Sequence, residues 1–455
     1  MNEFLFSEFN EVSAKQWKQK IQVDLKGADY HKTLLTQTNE GITIKPFYHS
    51  DEVKSIAINS RSMPAKICQE IFISDEKTAN RLAKDALKRG AASILFEANK
   101  RFAIDLVLGS LGGDLHFKLN FSDQDFIDEL LEKTANRTIF IEIDPLGYLV
   151  QHGNWFLDQQ EDLELLSTAL AKVGPSQHVL TIHGGIYQNA GATAVQQIAY
   201  ILGHLNEYLN EFASELAQKT IAIRVAVGSN YFMEIAKLRA LSYLFKKVTD
   251  AYEVDIDLHL FAKPSLRNKT LYDYNVNMLR STTECMSALL GGCDTISNVS
   301  YDAIFHKKNE FGERIARNQL LILKEESHFN EASHVADGAY YIENLTVELA
   351  EKALRLFKDI EKNGGFLSQL NKGTIQRKIK ESAQKEQQQF DAAELVLLGT
   401  NAHPNKSDRM NDEIELYPFV KVKKRSTKIE PIIATRLAEK SEQERLAHEQ
   451  AQAQE

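Results

Sequence analysis

Six side chains have the types that acid–base or electrostatic chemistry requires: Glu142, His183, Tyr187, Arg224, Asp257 and His259. Carboxylates, imidazoles and phenols move protons, and a guanidinium holds developing negative charge. Four of them share a pattern. Alternate side chains of a strand face opposite sides; Ile139, Ile141 and Ile143 share one face, while Phe140, Glu142 and Asp144 share the other. Ile221, Ile223, Val225 and Val227 likewise oppose Ala222, Arg224 and Ala226. Val254, Ile256, Leu258 and Leu260 oppose Asp255, Asp257 and His259. With the aliphatic faces packed on helices, Glu142, Arg224, Asp257 and His259 point into one interior. No metal site is expected: Cys68, Cys285 and Cys293 are scattered, no Cys-x-x-Cys pair occurs, and buried, reduced thiols are the expectation.

The elements that must position these residues alternate between short β-branched runs and helix-period segments from about Ser74 to Asn344, the pattern of a parallel sheet wrapped by helices. The spacing predicts strands at Ser93–Ala98, Thr138–Asp144, Val179–Gly184, Ile221–Gly228, Val254–Phe261 and Asp294–Val299. It predicts helices at Lys77–Gly90, Ser122–Thr134, Asp162–Val173, Ala194–Gln218, Tyr231–Tyr252 and Tyr274–Leu290. Repeated βα units favour a closed barrel, with an open sheet as the alternative. A barrel interior is ordinarily filled by branched aliphatic side chains. One lined by Glu142, Arg224, Asp257 and His259 requires either mutual charge pairing, because lone buried charges are costly, or a ligand threading the axis.

Three regions are expected: an arm at 1–50 that lacks a core of its own, the barrel at 51–375, and a charged helical and loop segment at 376–455. The end of the chain from Ile433 reads as a solvated helix or frayed tail. A net charge of −9 gives no global attraction for nucleic acid, and the basic cluster Lys421, Lys423, Lys424 and Arg425 reads as a solvated or partner-facing segment. Apolar runs such as Ile221 to Val227 are far shorter than the roughly 20 residues a bilayer span needs. The amino terminus lacks a cationic start followed by an apolar core, so a cytoplasmic location is expected.

An ordered series of motifs spans most of the chain. It begins with Trp17-Lys18, Ile21 to Gly27 and Glu40-Gly41-Ile42-Thr43-Ile44-Lys45-Pro46-Phe47-Tyr48. It continues with Gln188-Asn189-Ala190-Gly191-Ala192, Asn230 to Ala240, Gly312 to Asn318, Glu325-Glu326-Ser327 and Ala336 to Tyr341. The series resembles the methylmalonyl-CoA mutase family, and within it the small, non-catalytic subunits. The resemblance implies a (β/α)8 TIM barrel with an amino-terminal extended arm and a carboxy-terminal helical segment. In active members it implies a radical isomerisation of an acyl-CoA with adenosylcobalamin, the CoA tail threading the barrel axis.

Departures from the family pattern carry the functional expectation. Where catalytic chains have a Tyr-His pair over the substrate and corrin, this sequence places Gly185 and Ile186, which offer neither a hydroxyl nor a transferable proton. Tyr187 and His183 flank them as shifted candidates, and Ser297 stands where a further active-site His is expected. The Arg-Gly-Pro-Tyr segment that follows the arm in catalytic chains is absent; Tyr48 leads instead into Val53–Cys68. The family's cobalt-ligating Asp-x-His-x-x-Gly is also absent, His403-Pro404-Asn405 reads as a loop, and the remaining length is too short for a flavodoxin-like domain. The resemblance therefore implies a chain that binds no cofactor itself, is catalytically silent and pairs as a heterodimer with a large catalytic subunit holding adenosylcobalamin. The alternatives are a cobalamin-independent acyl-CoA-binding barrel enzyme that uses Glu142, His183, Arg224, Asp257 and His259 as its acid–base set, or a CoA-ester sensor.

Overall fold

The computed structural model describes residues 8–58, 64–331, 334–421 and 425–452. Eight parallel strands close into a barrel in sequence order: β1 Lys66–Phe72, β2 Ser93–Ala98, β3 Asp114–Leu119, β4 Ile139–Ile143, β5 Gln177–His183, β6 Thr220–Val227, β7 Asp257–Pro264 and β8 Thr295–Ile296. Closure falls to the short β8, where Thr295 pairs with Phe261 on one side and Lys66 on the other. Helices form the outer ring, so the architecture is the (β/α)8 barrel expected.

The strand faces divide as their alternation requires. Ile139, Ile141, Ile221, Ile223 and Leu260 are fully buried and belong to the large core between strands and helices. Leu349, Ala353, Phe366 and Ile379, from helices after the last strand, extend that core. The six expected helices lie within a few residues of their predicted bounds. Several begin on side-chain caps, including Asp75 on the Thr78 amide and Asp123 on the Phe126 amide.

Four features differ from the sequence reading. Strands β1 and β3 lie outside the strands expected, although in β3 Leu115, Phe117 and Leu119 alternate with His116 and Lys118; in β1 the interior face holds Cys68 and Glu70. The strand expected at Val254–Phe261 instead runs Asp257–Pro264. The helix before it closes through Glu253 at φ +57° and a Val254 amide bond to the Thr249 carbonyl, which spends those residues on the turn. The strand expected at Asp294–Val299 contracts to Thr295–Ile296.

The carboxy-terminal stretch from Ile433 is not frayed through its described length: it ends in a helix exposed over most of its surface and docked along one face. Helix Glu439–Gln452 docks through Glu442, Leu446 and Glu449, spaced on one helical face. Glu442 accepts from the Leu271 amide at 2.7 Å and from Arg436 at 2.5 Å, and Glu449 accepts from the Met410 amide at 3.0 Å. Two of the three docking residues are carboxylates, so the face shows no apolar stripe. Of the basic cluster, Lys421 is exposed, whereas Lys423 and Lys424 lie outside the described residues.

In the arm, helix Ala14–Asp24 buries only Ala14. A small antiparallel pair, Thr36–Gln37 with Thr43–Ile44, follows and seats Ile42 in the main core.

Candidate functional site at the carboxy-terminal mouth of the barrel

The barrel interior is packed in layers. Near its middle, His116 stacks on Phe140 with ring centroids 4.6 Å apart, Phe140 meets His259 at 4.3 Å, and Phe261 closes on His116 at 5.1 Å. Cys68, Leu95 and Phe261 complete a dry cluster. Burial drives the His116 imidazole down to about 3 and the Cys68 thiol up to about 12, so both are neutral.

Above this layer lies an ion-pair network. Arg224 holds both oxygens of Glu142 at 2.7 and 3.0 Å and reaches Glu70 at 3.3 Å. Lys263 contacts Glu70 at 2.5 Å, Ser297 Oγ donates to Glu70 at 2.9 Å, and His183 Nε2 lies 3.2 Å from Glu142. Burial alone would raise the Glu142 carboxyl, but Arg224 and His183 outweigh it and hold it at about 2. The Glu70 carboxyl is depressed in the same way, with Lys263 and Arg224 outweighing its burial. The polarity read from strand alternation is thus answered by charge pairing.

The six candidate side chains do not form one set. Glu142, His183 and Arg224 meet as described. His259 lies lower, with Nε2 3.0 Å from Thr295 Oγ. Asp257 opens β7 and is exposed at the opposite mouth; the three-residue shift of this strand carries it out of the interior. Tyr187 turns away from the mouth: its hydroxyl lies 3.1 Å from His204 Nδ1, and it is fully buried. His204 Nε2 in turn lies 2.8 Å from Asp144, which also accepts from Tyr208 at 2.7 Å and from the His183 amide at 2.8 Å. Tyr187 and Asp144 thereby brace the segment after β5.

Sequence reasoning missed Glu70 and Lys263, the two residues that complete the network. Glu70 lies in an unexpected strand, and Lys263 lies beyond the expected end of β7. The alternation His259, Phe261, Lys263 was the signal that could have found the second.

The carboxy-terminal mouth holds a cavity of about 660 Å3, lined by Lys118, His183, Gly185, Ile186, Arg224 and Lys263 from the barrel and by Pro418–Lys421 and Ile432–Arg436 from the tail. Backbone bonds fix the tail across it: the Ile432 amide to the Val150 carbonyl, Thr435 to Asn189, and Leu437 to Arg267. A Cβ at Gly185 would lie 3.2 Å from the Ala226 amide nitrogen, so a larger residue there requires β6 to yield by a few tenths of an ångström.

A family model for methylmalonyl-CoA mutase matches residues 133–454. The chain belongs to the methylmalonyl-CoA mutase family. It is 31% identical to the methylmalonyl-CoA mutase small subunit of Porphyromonas gingivalis, over 99% of this chain and 79% of that protein. It is 27% identical to the small subunit from Propionibacterium freudenreichii subsp. shermanii, over 80% of this chain and 64% of that protein. The large subunit of the same organism is 29% identical over 58% of this chain and 38% of its own length.

Within this family frame, Gly185 and Ile186 line the cavity and Ser297 lies beneath it in the ion-pair network. His403, whose neighbourhood departs from the cobalt-ligating motif, sits exposed at φ +51° next to the Leu398–Ala402 bridge. It follows no barrel strand, and among the described residues no group of three or more His, Cys, Asp or Glu could hold a metal ion. Among the described residues, no helix is long and apolar enough to cross a membrane.

Proposed function

We propose that this chain is the small subunit of a heterodimeric, adenosylcobalamin-dependent methylmalonyl-CoA mutase, catalytically silent itself and stabilising a large catalytic subunit that holds the cofactor. The observation that carries the reading is the mouth of the barrel. Gly185 and Ile186 face the cavity where the family resemblance calls for a tyrosine and a histidine, and neither can donate a proton to a thioester carbonyl. The interior below them is occupied by Glu70, Glu142, Arg224 and Lys263 and by the aromatic layer around Phe140. A CoA tail threading the axis would have to displace both.

The naming of relatives as small and large subunits supports the partnership. So does the exposed Ala14–Asp24 helix, which lends itself to wrapping a partner. Isomerisation of methylmalonyl-CoA and succinyl-CoA then belongs to the complex. The acid–base alternative loses support because Asp257 and His259 stand apart from Glu142, His183 and Arg224.

Co-expression with the large chain tests this reading. Omitting the small chain should lower both soluble large chain and adenosylcobalamin-dependent mutase activity, while the small chain alone with cofactor should give no turnover. Unchanged activity without it, or turnover by it alone, sinks the idea.

A further inference from the structure

We propose that the cavity at the carboxy-terminal mouth is a binding site for a short free dicarboxylate, held between Lys118 and Lys263, rather than for a CoA ester. The inference stands on the cavity and does not depend on the partner.

The charge lining the cavity contrasts with that of the molecule. The whole chain carries −9, yet the lining holds five Lys or Arg side chains and a single carboxylate, Glu439. Glu439 is already engaged, accepting from the Val420 amide at 2.5 Å and from the Arg436 amide at 3.4 Å. Arg436 is spent on Glu442, the Lys269 carbonyl and the Pro418 carbonyl, and Arg224 on Glu142 and Glu70.

Lys421, on the exposed rim, lies 5.4 Å over the Tyr417 ring, which leaves Lys118 and Lys263 as the cations that the barrel itself presents to the cavity. Each is the penultimate residue of its strand, β3 and β7, and these are diametrically opposite in the ring of eight. Each bonds one carboxylate from within the barrel, Glu97 at 2.8 Å and Glu70 at 2.5 Å, and each side chain stays 33% exposed. An ammonium carries three donors, so each retains capacity toward the mouth. The half-buried His152 imidazole on the same wall is held below its ordinary value, by burial first and then by Arg425 and Lys118.

Two cations facing one another across a mouth suit a ligand with an anionic group at each end. Its body would lie against Ile186, Ile304, Phe419 and Ile432. A volume of about 660 Å3 is that of a small-molecule pocket. The floor is closed by the Glu70–Arg224–Glu142 pairs, so a long pantetheine chain has no channel to enter.

Titration calorimetry on the full chain with succinate, butyrate, inorganic phosphate and coenzyme A decides the matter. Succinate should bind, and Lys118→Gln and Lys263→Gln should each weaken it about tenfold. Lys118 is part-exposed and paired only with Glu97, so Lys118→Gln keeps the test valid if Lys263→Gln fails to fold. Butyrate should bind about tenfold more weakly than succinate, because it spans only one lysine. No succinate binding at about 10 mM overturns the proposal. So do unchanged affinity in Lys118→Gln, butyrate or phosphate binding as tightly as succinate, and coenzyme A binding more tightly than succinate.

Discussion

At Arg224 one guanidinium serves two carboxylates, and its side chain keeps only 16% of its surface exposed. It lies 4.7 Å over the Phe261 ring while bonding Glu142 and Glu70. Removing one partner from such a set strands charge in a low-dielectric interior. Arg224→Met should therefore cost about 3–5 kcal/mol in urea unfolding, and adding Glu142→Leu should return part of it. His116 makes a second prediction, in which the sign follows from its pKa. It titrates near 6.5 when unfolded but is held at about 3 in the fold. Between those values the unfolded chain binds the extra proton, so stability is full above about pH 6.5 and falls as the pH drops. His116→Phe should keep the stacking on Phe140 and spare about 2 kcal/mol of the loss between pH 6.5 and 5, read from urea midpoints at each pH. Glu142 acts in the same direction but lower, between its ordinary value of 4.5 and about 2.

Among the elements, the carboxy-terminal helix is exposed over most of its surface, yet it is docked along one face and not the frayed tail that the sequence also allowed. Glu442 accepts a backbone amide from Leu271 and anchors Arg436, which in turn holds the Lys269 and Pro418 carbonyls. Glu442→Ala should thus loosen the tail over the barrel mouth and cost about 2–4 kcal/mol in thermal or urea unfolding, with faster hydrogen exchange at the Leu271 amide. The exposed neighbour change Glu444→Ala should stay within about 0.5 kcal/mol of the parent. Equal effects of the two would mean that the helix is not docked through its buried carboxylates.

For the whole molecule, the arm and the barrel separate two kinds of stability. The Ala14–Asp24 helix touches the rest through the Ala14 amide on Asp51 at 2.9 Å and Trp17 stacked 4.5 Å from Phe47, and it buries little. Ile42, further along, is 1% exposed in the main core. Deleting residues 1–27 should consequently shift Tm by no more than about 2 °C. On the proposed function it should also reduce co-purification of the large subunit, whereas deleting through Ile42 should lower Tm further. Loss of Tm with the shorter deletion would make the arm part of the fold instead.

The repeating βα pattern, the split between aliphatic and polar strand faces at Ile139–Ile143 and Thr220–Val227, and the family motifs were all legible in the chain, because each depends on local periodicity or contiguous residues. Tertiary structure decided what the polar faces do. Glu70 and Glu142 are 72 positions apart in the chain, yet one arginine joins them in space. No local pattern reports such a pairing, which closes a lumen that the alternation left open to either charge pairing or a ligand. The same holds at the ends of elements. A three-residue shift of β7 moved Asp257 to the far mouth and brought Lys263 to the cavity, and a turn after β5 sent Tyr187 toward His204. Strand ends are set by how the preceding helix is capped and by what the neighbouring strands offer for pairing, and a sequence read one segment at a time contains neither.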